Sequence, residues 1–191
     1  MSDIMKSICA VEGVEAAGVK EGKYGLALIR ASGTGAAVFT KNRVRAPVVN
    51  LMAERTLRGK LDGVIVNSGC ANAYTGKRGF EDAKTMAQIG AEALGIDEMN
   101  CGVASTGVIG RYLDLDLIRR QTAAVAPNLA HSAAAEDAAA RAIMTTDTVP
   151  KHALVRADGF TVAGICKGSG MIAPNMGTML SFRSEEHTSE L

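Results

Sequence analysis

The apolar residues of this chain come in short runs, strand-like and helical by turns and irregularly spaced, and that pattern most limits the folds open to it. Up to Val49 the runs are β-type and bounded by Gly, Lys or Ser: GVEAAGVK at 13–20, YGLALIR at 24–30 and GAAVFT at 35–40. Residues 46–58 then carry apolar side chains at helical spacing, and 61–67 (LDGVIVN) form a short buried-strand pattern. An amphipathic helix is predicted over 80–94, with Ala83, Met86, Ala87, Ile89, Ala91 and Leu94 on its apolar stripe. A strand at 100–104, helices at 113–125 and 132–144, and a hairpin of 152–156 with 160–166 about Ala157-Asp158-Gly159 complete the pattern. No repeat, linker or composition shift divides the chain before Phe182. Short β runs mixed with helices at uneven intervals favour an α/β fold of layered mixed sheets over a regular doubly wound parallel sheet.

Composition narrows the function classes. The 191 residues are 47% hydrophobic and 21% charged, enough apolar side chain to bury a core, with a formal net charge of +1. No run of Lys or Arg suggests a nucleic-acid groove or a membrane-surface patch, so a small-molecule partner fits better. Residues 1–18 lack a basic segment followed by an apolar core and a cleavage site, and the expectation is a cytoplasmic protein. The four cysteines, Cys9, Cys70, Cys101 and Cys166, make no C-x-x-C pair and read as buried thiols. Nor does any of the three histidines, His131, His152 and His187, sit in a recognisable active-site motif, so imidazole is not the expected base for any nucleophile here.

Four polar, glycine-bearing segments follow predicted elements: 67–73 (NSGCANA), 105–110 (STGVIG), 144–148 (MTTDT) and 167–180 (KGSGMIAPNMGTML). Loops held by a scaffold are where binding groups concentrate, and glycine lets backbone N–H groups approach a ligand closely. In this order and spacing the four segments resemble the signature stretches of the ornithine acetyltransferase (glutamate N-acetyltransferase) family of arginine biosynthesis. The similarity covers residues 8–182.

That resemblance implies a self-processing precursor cut between Gly177 and Thr178, with Thr178 becoming the first residue of a β chain and the nucleophile. The Thr178 hydroxyl attacks the Gly177 carbonyl, and hydrolysis of the resulting ester frees an α-amine. An unperturbed α-amine titrates at about 7.7–8.0, low enough to serve as base for its own hydroxyl, so no histidine is needed. The family usually has Ala before the cut; Gly177 removes a methyl group and is expected to preserve the geometry. Thr106 and Gly107 are implied as the oxyanion hole, a hydroxyl and an unobstructed backbone N–H. Thr145, Lys167 and Thr178 are implied as substrate contacts, the ammonium of Lys167 suiting a carboxylate. Segment 67–73 is given no direct role.

The implied reaction moves acetyl from N-acetylornithine to Thr178 and then to glutamate, with acetyl-CoA as a further donor in some members. No metal or cofactor is indicated, and the implied assembly is a heterotetramer of two α and two β chains. On this reading residues 1–182 hold the α-chain region and the first residues of the β chain, an amino-terminal fragment expected to be inactive. Residues 183–191 (RSEEHTSEL) break the preceding apolar pattern and resemble a translated sequencing adapter. Two other readings compete: a related self-processing aminopeptidase, and a nucleotide-binding module in which Gly168-x-Gly170-x-x-Ala173 mimics a dinucleotide fingerprint, weakened by Pro174 where a helix should run.

Overall fold

The computed structural model describes residues 4–168 and 179–187. Its first sheet is built by β1 (Glu15–Glu21), β2 (Tyr24–Thr34), β3 (Lys60–Cys70) and β4 (Cys101–Val108), hydrogen-bonded in that order. The first two pairings are antiparallel and β3–β4 is parallel, with helix α2 (Gly76–Leu94) inside the crossover. The second sheet is an antiparallel meander of β5 (Lys151–Ala157), β6 (Phe160–Lys167) and β7 (Leu180–His187). The expected layered α/β arrangement of mixed sheets is what forms.

Alternation along the central strands sends side chains into two cores. On one face Leu26, Leu28, Ile65 and Val103 pack with residues of α1 (Pro47–Arg55), α2 and α3 (Leu115–Val125), Met86 and Ile118 among them. Each large apolar side chain fully buried there contributes about 1.5–3 kcal/mol. The other face buries Ala27, Ile29, Val66 and Ala104 against α4 (Ala133–Ala142), the 3-10 turn Ile8–Ala10 and the inner side of the second sheet, where Ala163 and Ile165 lie. Helix α4 sits unusually close: a Cβ on Gly18 would lie 2.8 Å from the Ala139 Cα, and one on Gly25 2.2 Å from the Ala142 carbonyl oxygen. Bare α-carbons on the sheet and alanines on the helix make that approach possible.

Helix starts follow the sequence signals. Pro47 opens α1, Asp114 accepts the Leu117 N–H at 2.9 Å, and Ser132 accepts the Ala135 N–H at 3.2 Å. Glu136 does something periodicity does not reveal: fully buried, it accepts the backbone N–H groups of Lys6, Ser7 and Cys9 at 2.7, 3.2 and 3.2 Å. One carboxylate thereby satisfies the orphan donors of the 3-10 turn and fastens it to α4.

Two expectations need correction. The run 35–40 is not a strand; β2 ends at Thr34, opposite Lys60, where β3 begins, and Val38 stands 82% exposed. The stretches 67–70 and 105–108 are not loops but the last turns of β3 and β4, because parallel pairing between them continues to Cys70 and Val108. The second sheet ends on β7, which runs through Phe182 and Arg183 to His187 with Leu180, Phe182, Ser184 and Glu186 on the half-buried side; backbone pairing tolerates such a polar edge strand.

Candidate active site

The carboxyl ends of β3 and β4 lie against the end of β6, and there the polar segments meet. Thr106 is fully buried and stands beside Ser68 across the parallel pair. The ammonium of Lys167, itself 1% exposed, donates to the Thr106 hydroxyl at 3.2 Å. Gly107 follows with φ of +132°, and a Cβ there would lie 2.3 Å from the carbonyl carbon of Gly69. No other residue fits that backbone, because both the angle and the neighbouring strand exclude a side chain.

Around this pair lie groups that the sequence reading missed. Lys20, from β1, donates to the Ser68 hydroxyl at 2.8 Å and to the Met144 carbonyl, while Ser68 donates to the Ala142 carbonyl at 2.6 Å. Asp147 accepts the Gly168 N–H at 2.7 Å and pairs with Lys151. Burial lowers the pKa of Lys167, the Lys151 charge lowers it further, and Asp147 opposes both. Lys20 is also lowered, by burial first and then by Lys167, again against Asp147. For Asp147 burial pushes upward but is outweighed by the bonds from Lys151 and Gly168, so its carboxyl sits below the ordinary value. Three ammonium groups about one carboxylate leave a net positive field, the electrostatics suited to a carboxylate-bearing ligand.

Thr145 is exposed, in the bend that leads to Asp147. Gly177 and Thr178, the expected cleavage site and nucleophile, lie outside the described residues. In segment 67–73 the Asn67 amide donates to the Cys70 carbonyl at 2.9 Å, and Asn72 and Thr75 bond each other at 2.9 Å. These two bonds are internal to the strand end and the turn into α2, while Ser68 reaches Lys20 and the Ala142 carbonyl and Cys70 reaches the Arg111 carbonyl.

Two other features attract attention and lead elsewhere. His152 stands between the Ser7 hydroxyl, 2.9 Å from Nδ1, and the Asp137 carboxylate, 3.5 Å from Nε2. Ser7 is fully buried, so this array fastens the amino-terminal turn to α4 and β5 and offers no nucleophile to a ligand. A groove of about 520 Å³ lies between the starts of α1 and α2, lined by Arg45, Asn50, Tyr74 and Phe80 among others, and none of the described candidate residues borders it. The dinucleotide reading also fails on topology: β6 and β7 are antiparallel neighbours, whereas the fingerprint needs a parallel βαβ unit. Among the described residues no helix is long and apolar enough to cross a membrane.

Solved structures fix the fold class. An ornithine acetyltransferase from Mycobacterium tuberculosis, crystallised with ornithine, superposes with a TM-score of 0.84 at 38% identity, covering 89% of this chain and 95% of that one. The arginine biosynthesis bifunctional protein of Bacillus halodurans gives a TM-score of 0.77 at 36% identity over 91% and 94%. This is the ornithine acetyltransferase-like fold. Among curated relatives, a glutamate N-acetyltransferase of Methanosarcina mazei is 52% identical over 95% of this chain and 47% of its own length. An arginine biosynthesis bifunctional protein of Archaeoglobus fulgidus is 48% identical over 92% of this chain and 46% of its own. The family model matches residues 11–186, and the chain belongs to the ArgJ family. It spans about half the length of the curated relatives it matches.

Proposed function

We propose that the full-length protein transfers acetyl from N-acetylornithine to glutamate through an acetyl-Thr178 intermediate, as a step of arginine biosynthesis. The observation that supports this reading is the buried bond between Lys167 and Thr106, the residues proposed here as the substrate-binding ammonium and an oxyanion donor. The Thr178 hydroxyl attacks the acetyl carbonyl, its own α-amine taking the proton. The oxyanion is held by the Thr106 hydroxyl and the Gly107 N–H, and ornithine leaves with the returned proton. Glutamate's amine then attacks the acetyl-threonine ester in the reverse sense. Lys167 and Thr145 hold the substrate; acetyl-CoA serves as a further donor in a bifunctional version of the same chemistry.

Coverage of the relatives supports the cut between Gly177 and Thr178. The chains of the two solved structures are covered to 95% and 94%, whereas the curated relatives are covered to 47% and 46%. That difference is what division of a long precursor near this point produces, and it fits an assembly of two α and two β chains. Residues 1–182 alone, with little of a β chain, carry no acetyl transfer on this reading. Residues 183–191 are read as translated adapter, and re-amplifying the locus across the Phe182 codon tests that directly.

The test is to restore the gene to the length of its relatives, purify the protein and supply N-acetylornithine with glutamate. Intact-mass analysis is expected to give two chains divided at 177/178 and an acetyl adduct on the chain beginning with Thr178. An undivided protein that turns over normally, or a Thr178→Ala variant with full activity, refutes the mechanism. A peptide amide supplied in place of N-acetylornithine separates the aminopeptidase reading.

A further inference from the structure

We propose that Asp147 is a positioning residue, holding Lys167 and the Gly168 N–H beside it in one fixed arrangement against Thr106. The inference rests on the reading of Lys167 as the substrate-binding cation. Its grounds are geometric. The Asp147 side chain is 2% exposed although it stands in a bend between α4 and β5. Its Oδ1 takes the N–H of Gly168, the residue after Lys167, at 2.7 Å and also the Lys151 ammonium. One carboxylate thus ties the start of β5 to the end of β6. A Cβ on Gly168 would lie 2.9 Å from that oxygen, so the carboxylate packs against a bare α-carbon.

The second oxygen, Oδ2, is buried and has no hydrogen-bond partner among the described residues. A fold that needed only a tether has no reason to bury an acceptor unsatisfied. The charge accounts for it. The groups facing this point are Lys20 from β1, Lys151 from β5 and Lys167 from β6, with the Thr106 hydroxyl of β4 beyond. Asp147 attracts all three ammonium groups, and without it they repel one another and loosen Lys167 from Thr106.

The test uses the full-length protein with Asp147→Asn, which is isosteric and keeps the Oδ1 acceptor for Gly168, and Lys151→Gln, at a half-exposed site that tolerates change. Asp147 holds the Lys167 proton on and Lys151 drives it off, so the two variants must act in opposite directions. Asp147→Asn is expected to raise KM for N-acetylornithine roughly tenfold with a smaller change in kcat, the loss of one charge-assisted contact. It should also move the alkaline limb of kcat/KM to lower pH, and Lys151→Gln should move that limb to higher pH. Trace labelling with acetic anhydride, read at Lys167 by mass spectrometry, reports the same proton without turnover: more label in Asp147→Asn, less in Lys151→Gln. A wild type that transfers no acetyl counts against the functional reading, while the labelling still decides this one. Should Asp147→Asn fail to fold, Lys151→Gln decides by labelling alone. Lys167 labelling unchanged in the folded variants, or changed in the same direction in both, overturns the proposal.

Discussion

Replacing Gly107 with alanine tests the strand end on which the proposed oxyanion hole depends. Two costs add at this position. The backbone sits at φ of +132°, where an L side chain is strained, and the new Cβ would lie 2.3 Å from the Gly69 carbonyl carbon and 2.6 Å from the Cys70 nitrogen. Those contacts are backbone atoms of the paired strand, so relief requires β3 and β4 to part at their carboxyl ends. Strain of about 1–3 kcal/mol and a forced shift of about 1–3 kcal/mol give a destabilisation of about 2–6 kcal/mol. Gly59→Ala supplies the control, because Gly59 also has positive φ, +69°, but a Cβ there meets nothing within 4 Å. It should cost only the left-handed backbone term, about 1–2 kcal/mol. Urea unfolding of both variants of the full-length protein, followed by circular dichroism, measures the difference. Gly107→Ala should unfold at clearly lower urea than Gly59→Ala and lose acetyl transfer, because Thr106 moves with the strand. Equal midpoints for the two variants would refute the clash.

Three further outcomes follow from single contacts. Thr106→Ala in the full-length protein should lower turnover by about 10²- to 10³-fold, the usual effect of losing one oxyanion donor, and turnover within a few-fold of wild type would remove Thr106 from the mechanism. Arg55, 2% exposed, donates to the Glu98 carbonyl at 2.6 Å, to the Cys101 carbonyl and to the Glu98 carboxylate at 2.9 Å. Arg55→Ala should therefore cost about 3–5 kcal/mol in thermal or urea unfolding, whereas Glu98→Ala, touching a carboxylate 46% exposed, should cost about 0–1 kcal/mol; similar losses would show that the carbonyl bonds carry little. Burial pushes the Cys9 thiol up to about 11 and the Cys101 thiol up to about 12. Both stay protonated at mildly alkaline pH, so iodoacetamide should label them only after denaturant is added, and rapid native labelling would contradict their burial.

Elements whose identity depends on local periodicity were legible in the sequence. The stripe from Ala83 to Leu94 and the Asp158-Gly159 turn need only neighbours a few residues away, and both stand in the structure as read. What escaped was decided by pairing across the chain. Segment 35–40 has strand composition but no free edge beside it, and segments 67–70 and 105–108 have loop composition but continue as strands because each supplies the other's partner. Glycine there signals close strand approach at Gly107, not the mobile turn its composition suggests. Glu136 is similar: its three N–H partners lie more than a hundred positions away, beyond the reach of any local pattern.

The candidate site divides in the same way, and the division has a physical cause. Thr106, Gly107 and Lys167 were found through resemblance, since a lone lysine or a Thr-Gly pair carries no local signal of its own. Their meaning arises only when the end of β6 is laid against the end of β4, which brings an ammonium and a hydroxyl 61 positions apart to 3.2 Å. Lys20 and Asp147 belong to the same contact but touch it through neighbours, one through Ser68 and the other through Gly168. A buried ammonium needs a counter-charge or it gives up its proton. Once Lys167 is known to be buried, a carboxylate within its field is therefore required by electrostatics, and Asp147 is the residue that the packing of α4 and β5 delivers there.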